Sequence, residues 1–256
     1  MNKLKCHIAS LWQRFIFEMT FAIGSDPWKY TSHYQQAKYQ QTLKLLPAIP
    51  IKLALEIGCA EGYLTSTLAD RVELLIAADI SQIALNRAAL SCRSHGQENI
   101  CFQRLDLNQD SLPRGCDLIV CSEVLYYISG QTALCAVAHK LADALVPGGY
   151  LLTTHAYRVD QEPDRHNLDW ILPFGAKLIG ETLENTYPLR LLKDIQTPYY
   201  RIQLFQHDCE MKSHNMPEIL ELSSSALPLP ESGALDMFSL AFLYNQLQRL
   251  YKRHLQ

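Results

Sequence analysis

The sequence predicts an α/β fold built on one mostly parallel sheet, and three observations carry that prediction. From Lys52 onward, short apolar runs alternate with segments of helical periodicity. The first of these runs ends in an acid and a Gly-x-x-x-Gly turn, Glu56 to Gly62, and the next stops on Asp79. Late in the sequence Thr197-Pro198 splits two apolar runs, the mark of a hairpin that closes the sheet.

Each element follows from local pattern. Leu4 to Ile23 places Ile8, Leu11, Trp12, Phe15, Ile16 and Met19 on a helical stripe, and Gly24-Ser-Asp-Pro-Trp28 breaks it. A second helix runs from Ser32 to Leu46, stopping before Pro47 and Pro50. Strand one is Leu53 to Ile57, followed by a helix over Gly62 to Leu68 and strand two over Leu74 to Asp79. Ser81 caps a helix through Ser91. Strand three covers Ile100 to Leu105 and strand four Asp117 to Cys121. Thr132 to Leu145 is helical, closed by Pro147-Gly148-Gly149 ahead of strand five at Tyr150 to Thr154. A loop dense in Asp and His precedes a helix over Gly175 to Glu184, and Leu189 to Gln196 pairs with Tyr199 to Gln206. Cap helices at 1–50, a sheet domain at 51–207, and a linker with a C-terminal amphipathic helix at 208–256 complete the expected organisation. The terminal helix, from about Leu235, sets Leu240, Leu243, Leu247, Leu250 and Tyr251 on one face, which suits docking on the core or a homodimer contact.

Composition narrows the function classes. With 256 residues, 48% of them hydrophobic, the chain holds one sizeable core and decorations. A net charge of −3 without a basic run offers no field for phosphate backbones, so nucleic acid is not an expected partner. Eight cysteines with no C-x-x-C pair fit a reduced, cytoplasmic protein without a zinc site. Gln13, Arg14 and Glu18 interrupt the apolar N-terminal segment, so neither a signal peptide nor a membrane span is expected. Asp160, Glu162, Asp164 and His166 lie close in sequence, yet such polar loops are commonly solvated, and no metal is assigned.

The turn after strand one carries the chemistry. Gly58 and Gly62 leave a backbone poor in side chains where strand becomes helix, so a ligand can lie against bare amides there. Asp79 follows Gly58 at about 20 residues, the distance at which an acid ending the second strand reaches ribose hydroxyls. Glu56 just ahead of the turn would repel a pyrophosphate, and it suits a ligand with a cationic ammonium and sulfonium. The charge sign therefore favours S-adenosyl-L-methionine over a dinucleotide. Asp106, at the end of strand three, is placed to accept from an adenine amino group, with Leu105 and Leu107 flanking the ring and Cys59, Ile80 and Ser122 on the same rim. Strand four ends in Ser122-Glu123-Val124-Leu125-Tyr126-Tyr127, the switch-point rim where an acceptor would meet the methyl group.

This arrangement resembles the class I methyltransferases from Ile51 through His207: a Rossmann-like, seven-stranded, mostly parallel sheet with a C-terminal antiparallel hairpin and N-terminal cap helices. Asp26-Pro27-Trp28 with Tyr34, Lys38, Tyr39 and Thr42, joined to Glu56-Ile-Gly-Cys-Ala-Glu-Gly62 and Thr197-Pro-Tyr-Tyr-Arg-Ile-Gln203, resembles more narrowly the nodulation protein S group. That resemblance implies a small-molecule N-methyltransferase acting on an amino sugar or similar metabolite. It also implies that Trp28 to Lys38 covers the cofactor, with Trp28, Tyr34 and Lys38 near it. Ala60 stands where many methyltransferases carry the middle glycine. An acceptor amine must be neutral, so His155, and after it Glu123, are the candidate bases, with Tyr126 and Tyr127 beside them; all four also admit structural roles. The strand-four end lacks the Asn/Asp-Pro-Pro-aromatic tetrad of nucleobase and glutamine methyltransferases. Methylation of a hydroxyl, with His155 as base, and a non-catalytic cofactor-binding module are the alternatives.

Overall fold

The computed structural model describes residues 3–157, 175–208 and 218–221. Helices α1 (Lys3–Ile23) and α2 (His33–Lys44) precede β1 (Leu53–Ile57), α3 (Tyr63–Ala69), β2 (Leu74–Asp79), α4 (Gln82–Ser94) and β3 (Ile100–Arg104). Then come β4 (Cys116–Ser122), a 3-10 turn at Leu125–Tyr127, α5 (Gln131–Ala144), β5 (Leu145–Ala156), α6 (Ala176–Glu184), β6 (Leu189–Gln196), β7 (Tyr200–His207) and β8 (Glu218–Glu221). The sheet order is β3-β2-β1-β4-β5-β7-β6-β8. Strands β1 to β5 pair in parallel, and β7 runs antiparallel to both β5 and β6.

Successive residues of the central strands enter opposite cores, which is why these strands read as unbroken apolar runs. Leu55, Ile119, Cys121, Leu151 and Phe205 join one cluster with α5 and α6, whereas Ala54, Leu118, Val120, Leu152 and Leu204 join another with α3 and the end of α2. Ser81 and Ser32 accept from Ala84 N and Gln35 N at 3.2 and 3.3 Å, capping α4 and α2. No helix among the described residues is long and apolar enough to cross a membrane.

Three features depart from the sequence pattern. Strand β5 starts at Leu145, ahead of the Pro-Gly-Gly that was expected to close α5. Leu145 pairs with Cys116 and Tyr150 with Leu118, so a bulge absorbs Val146 to Gly149 without ending the strand. The parallel edge strand β8, beside β6, falls where a linker was expected. The apolar stripe of α1 splits: Ile16 is buried, while Leu11, Phe15 and Met19 face outward. The expected C-terminal helix and the Asp160 to His166 cluster lie outside the described residues.

Chain order switches direction between β1 and β4, so their C-terminal ends diverge into a crevice. Helix α1 lies across these tips. Its Ser10 donates to Asp106 Oδ2 beyond β3, Gln13 donates to Tyr127 O at 3.1 Å, and the Glu18 carboxylate accepts from Ser81 Oγ and Gln82 N at 2.7 and 2.9 Å.

Candidate active site

On the β1 and β2 side, two carboxylates are buried close to the glycine turn. Glu56 is 3% exposed, and its Oε2 has no hydrogen-bond partner among the described residues. Burial, with the Asp79 charge adding to it and the Thr65 hydroxyl opposing, pushes the Glu56 carboxyl up to about 7. Asp79 accepts from Ala60 N and Ser81 N, both at 2.9 Å. Burial still outweighs those bonds and raises its carboxyl to about 6.

The turn itself differs from the sequence expectation. Gly58 N and Cys59 N both donate to Ala78 O, Ala60 N to Asp79, and Gly62 N to Cys59 O, so these amides are spent inside the protein. The glycines are required for other reasons. Gly58 has φ +80°, and a Cβ there would meet Val124 Cγ2 at 2.3 Å; Gly62 has φ +87°, and a Cβ would crowd Ala88 of α4 at 3.0 Å. The turn thus binds β1 to the β4 tip and to α4. Cys59 is buried, with its thiol raised first by desolvation and then by the Asp79 and Glu56 charges. Asp106 Oδ1 accepts from Asn108 N at 2.9 Å and Oδ2 from Ser10, so α1 takes part of the acceptor capacity assigned to adenine. Leu105 and Leu107 belong to the main core cluster. Ile80 follows Asp79 on the rim, and Ser122 pairs with Thr154.

The segment over the turn is anchored by residues that sequence reasoning missed. Glu61 is 7% exposed and accepts from Asp26 N at 2.6 Å and Arg87 Nη1 at 2.7 Å; the same Nη1 reaches Gly24 O at 2.8 Å. That clasp holds Trp28 against Phe21 at 5.3 Å between centroids, in a cluster with Ala60 and Ala84. An acid inside the glycine turn was the one available signal for it. Nothing local marks Ser10 or Glu18.

Across the crevice, at the β4 and β5 tips, a second buried polar group assembles. Glu123 sits at φ +58° and its N donates to Thr154 O at 2.8 Å. Lys38 Nζ, with its side chain 3% exposed, lies 2.7 Å from Glu123 Oε1 and over the rings of Tyr34 and Tyr200 at 5.4 and 5.8 Å. Tyr126 donates its hydroxyl to Glu123 Oε2. Desolvation opposes ionisation of Glu123, but the Lys38 charge and the hydrogen bonds from Lys38 and Tyr126 prevail and hold its carboxyl below the ordinary value.

His155 is 2% exposed, and its Nε2 accepts from Leu125 N at 3.2 Å. That bond leaves the proton on Nδ1. Burial, with Lys38 adding to it, pulls the imidazole down to about 4 despite Glu123. The sequence pattern made His155 the first candidate base; here it is buried and neutral, with Nε2 engaged by the Leu125 amide. Tyr127 packs edge-on to Tyr126 and Phe17, at 4.7 and 5.1 Å between centroids. Lys38, expected beside the cofactor carboxylate, is instead bonded to Glu123, and Tyr34 packs on Tyr199 and Tyr200. Among the described residues no three His, Cys, Asp or Glu side chains converge as metal ligands.

The pattern of the nodulation protein S (NodS) family matches residues 16–159, more than half the chain. The chain belongs to the nodulation protein S family. Nodulation protein S of Sinorhizobium fredii (strain NGR234) is 30% identical over 188 residues, covering 73% of this chain and 81% of that protein. The relative from Bradyrhizobium diazoefficiens is 33% identical over 129 residues, covering 50% and 61%. The crystal structure of the N-methyltransferase NodS from Bradyrhizobium japonicum WM9, in complex with S-adenosyl-L-homocysteine, superposes with a TM-score of 0.65 at 24% identity, covering 74% of this chain and 97% of that one. The fold shared by this chain and that structure is the class I methyltransferase fold. The matched span includes the buried acids, the turn, Lys38, Glu123 and His155, whereas Ser10 and Tyr200, which touch Asp106 and Lys38, lie outside it.

Proposed function

We propose that this protein N-methylates the amine of a small molecule, an amino sugar or similar metabolite. The broader class, an S-adenosyl-L-methionine-dependent methyltransferase, rests on membership of the nodulation protein S family and on the fold. The residues fit that cofactor. Glu56 Oε2 is a buried carboxylate oxygen without a partner among the described residues, the kind of group a cationic ligand relieves. Glu56 and Asp79 would hold the cofactor, which when bound supplies a methyl group on a sulfonium.

The choice of an amine rests on one observation: a charged carboxylate, Glu123, stands at the acceptor rim. Its side chain is 25% exposed, so an acceptor can reach it although Lys38 behind it is sealed. Glu123 attracts an ammonium, accepts an N–H hydrogen bond that directs the nitrogen, and takes the proton the amine sheds. Tyr126 fixes the second oxygen. His155, its Nε2 lone pair engaged by Leu125 N, does not serve the base role that a hydroxyl acceptor demands. The surrounding tyrosines exclude water from the nitrogen.

Mass spectrometry of products from matched amine and hydroxyl acceptors, with the methyl donor supplied, tests this. A methyl on nitrogen is expected. A methyl found only on oxygen overturns the amine, and absence of cofactor binding by calorimetry overturns the whole proposal.

A further inference from the structure

We propose that Lys38 is a positioning residue of the acceptor side, whose ammonium fixes the Glu123 carboxylate at the β4 tip and keeps it charged. This rests on the acceptor role given to Glu123 above. The resemblance of the 26–42 segment placed Lys38 near the cofactor; the geometry gives it a different partner.

Four observations converge. Lys38 is among the most enclosed charged residues of the described chain, at 3% exposure, and helix α2 delivers it to the rim from 85 positions away. Its ammonium lies 2.7 Å from one Glu123 oxygen, while the other oxygen faces the Tyr126 hydroxyl. Tyr34 and Tyr200 offer ring faces to the same ammonium, which confines it between two aromatic planes and one carboxylate. Glu123 itself occupies a left-handed conformation that its surroundings must hold in place.

A partly buried carboxylate without its cation takes up a proton more readily and loses its attraction for an ammonium. The groups facing Glu123 are Lys38 and Tyr39 from α2, Tyr126 from the 3-10 turn, His155 from β5 and Tyr200 from β7. Four of these five are uncharged at neutral pH: the phenols of Tyr39, Tyr126 and Tyr200 are raised, and His155 is lowered. Lys38 alone among them supplies positive charge.

The test compares Lys38→Met and Lys38→Arg with the parent in the full chain. Carboxyl carbon NMR, with the Glu123 signal assigned through Glu123→Gln, follows the Glu123 titration, and calorimetry with S-adenosyl-L-homocysteine follows the cofactor side. Lys38→Met is expected to move the Glu123 midpoint up by at least about one unit, to lower kcat at least about tenfold and to leave affinity for S-adenosyl-L-homocysteine within about twofold. Lys38→Arg, which keeps the charge, is expected to hold the Glu123 midpoint near the parent value. A midpoint unmoved in Lys38→Met, or an S-adenosyl-L-homocysteine affinity reduced tenfold, overturns the inference. If Lys38→Met does not fold, the decision falls to Lys38→Gln by the same two measurements. Full activity in Glu123→Gln would overturn the acceptor role of Glu123 instead, so the two failures are distinguishable.

Discussion

The two sides of the crevice bury carboxylates under opposite terms. At the β1 and β2 tips Glu56 and Asp79 have no cationic partner among the described residues, and burial raises both. At the β4 tip Glu123 has Lys38 at 2.7 Å and is lowered. One side leaves a negative charge uncompensated, as suits a ligand that brings the positive charge itself; the other carries its own counter-ion and is charged before any ligand arrives. Burial alone therefore does not set the state of an acid in this molecule. The partner decides.

The largest test of that contrast is Glu123→Gln. On the proposed N-methylation, in which Glu123 receives the proton, its removal is expected to lower kcat by about 10² to 10⁴-fold. Affinity for S-adenosyl-L-homocysteine, measured by calorimetry, should stay within about twofold because the change lies across the crevice. A fall in affinity equal to the fall in kcat would merge the two sides into one. Asp79→Ala is the reciprocal change. It is expected to weaken S-adenosyl-L-homocysteine binding more than tenfold, as a lost charge-assisted hydrogen bond of about 1.5 to 3 kcal/mol implies. Unchanged affinity would remove Asp79 from the ribose role.

The two sides also predict opposite pH behaviour. Glu56 ionises near 7 in the folded protein and near 4.5 when unfolded, so its burial cost is absent below about pH 4.5, grows as pH rises toward 7 and is full above that. Glu56→Gln should then stabilise the ligand-free protein at pH 8 by on the order of 1–3 kcal/mol, raising Tm by roughly 2–9 °C, and change little at pH 4. His155 runs the other way. Its imidazole ionises near 4 folded and near 6.5 unfolded, so the stability it contributes is whole above pH 6.5 and declines as pH falls toward 4. Thermal melts of Glu56→Gln and the parent across pH 4 to 8 check the sign; equal melts at pH 8 would mean that Glu56 already has a counter-charge.

The same contrast separates what the sequence made legible from what it did not. Strands β1 and β2, the capping serines and the acids Glu56 and Asp79 are local: each announces itself within a few residues by apolar run, turn chemistry or strand end. The acceptor side is assembled from distant residues. The Lys38–Glu123 pair spans 85 positions and the Ser10–Asp106 bond 96, separations at which spacing carries no information. His155 looked like a base because a lone histidine at a strand tip shows neither its burial nor the Leu125 amide that engages it. Strand β8 and the start of β5 were hidden for a related reason, since parallel pairing with a distant strand and a bulge through Pro147-Gly148-Gly149 leave no periodic trace.

The smallest expected effect bears on how the cofactor side tolerates Ala60. That residue holds φ +47° in the glycine turn, a left-handed conformation costing a residue with a Cβ about 1–2 kcal/mol. Its methyl group is buried in the cluster formed with Phe21, Trp28 and Ala84, which returns about 0.8 kcal/mol, and glycine would lose a further 0.5–1 kcal/mol or so in chain entropy on folding. The opposing effects nearly cancel, so Ala60→Gly is expected to change stability by no more than about 0.5 kcal/mol in chemical denaturation. Combined with Trp28→Ala, which removes the ring packed in that cluster, the balance should tip. Part of the packing of the methyl group is then gone while its strain remains, and Ala60→Gly should become stabilising in that background. An equal response in both backgrounds would mean that Trp28 does not support the turn, which would leave the clasp through Glu61 and Arg87 to hold the 24–26 segment over it.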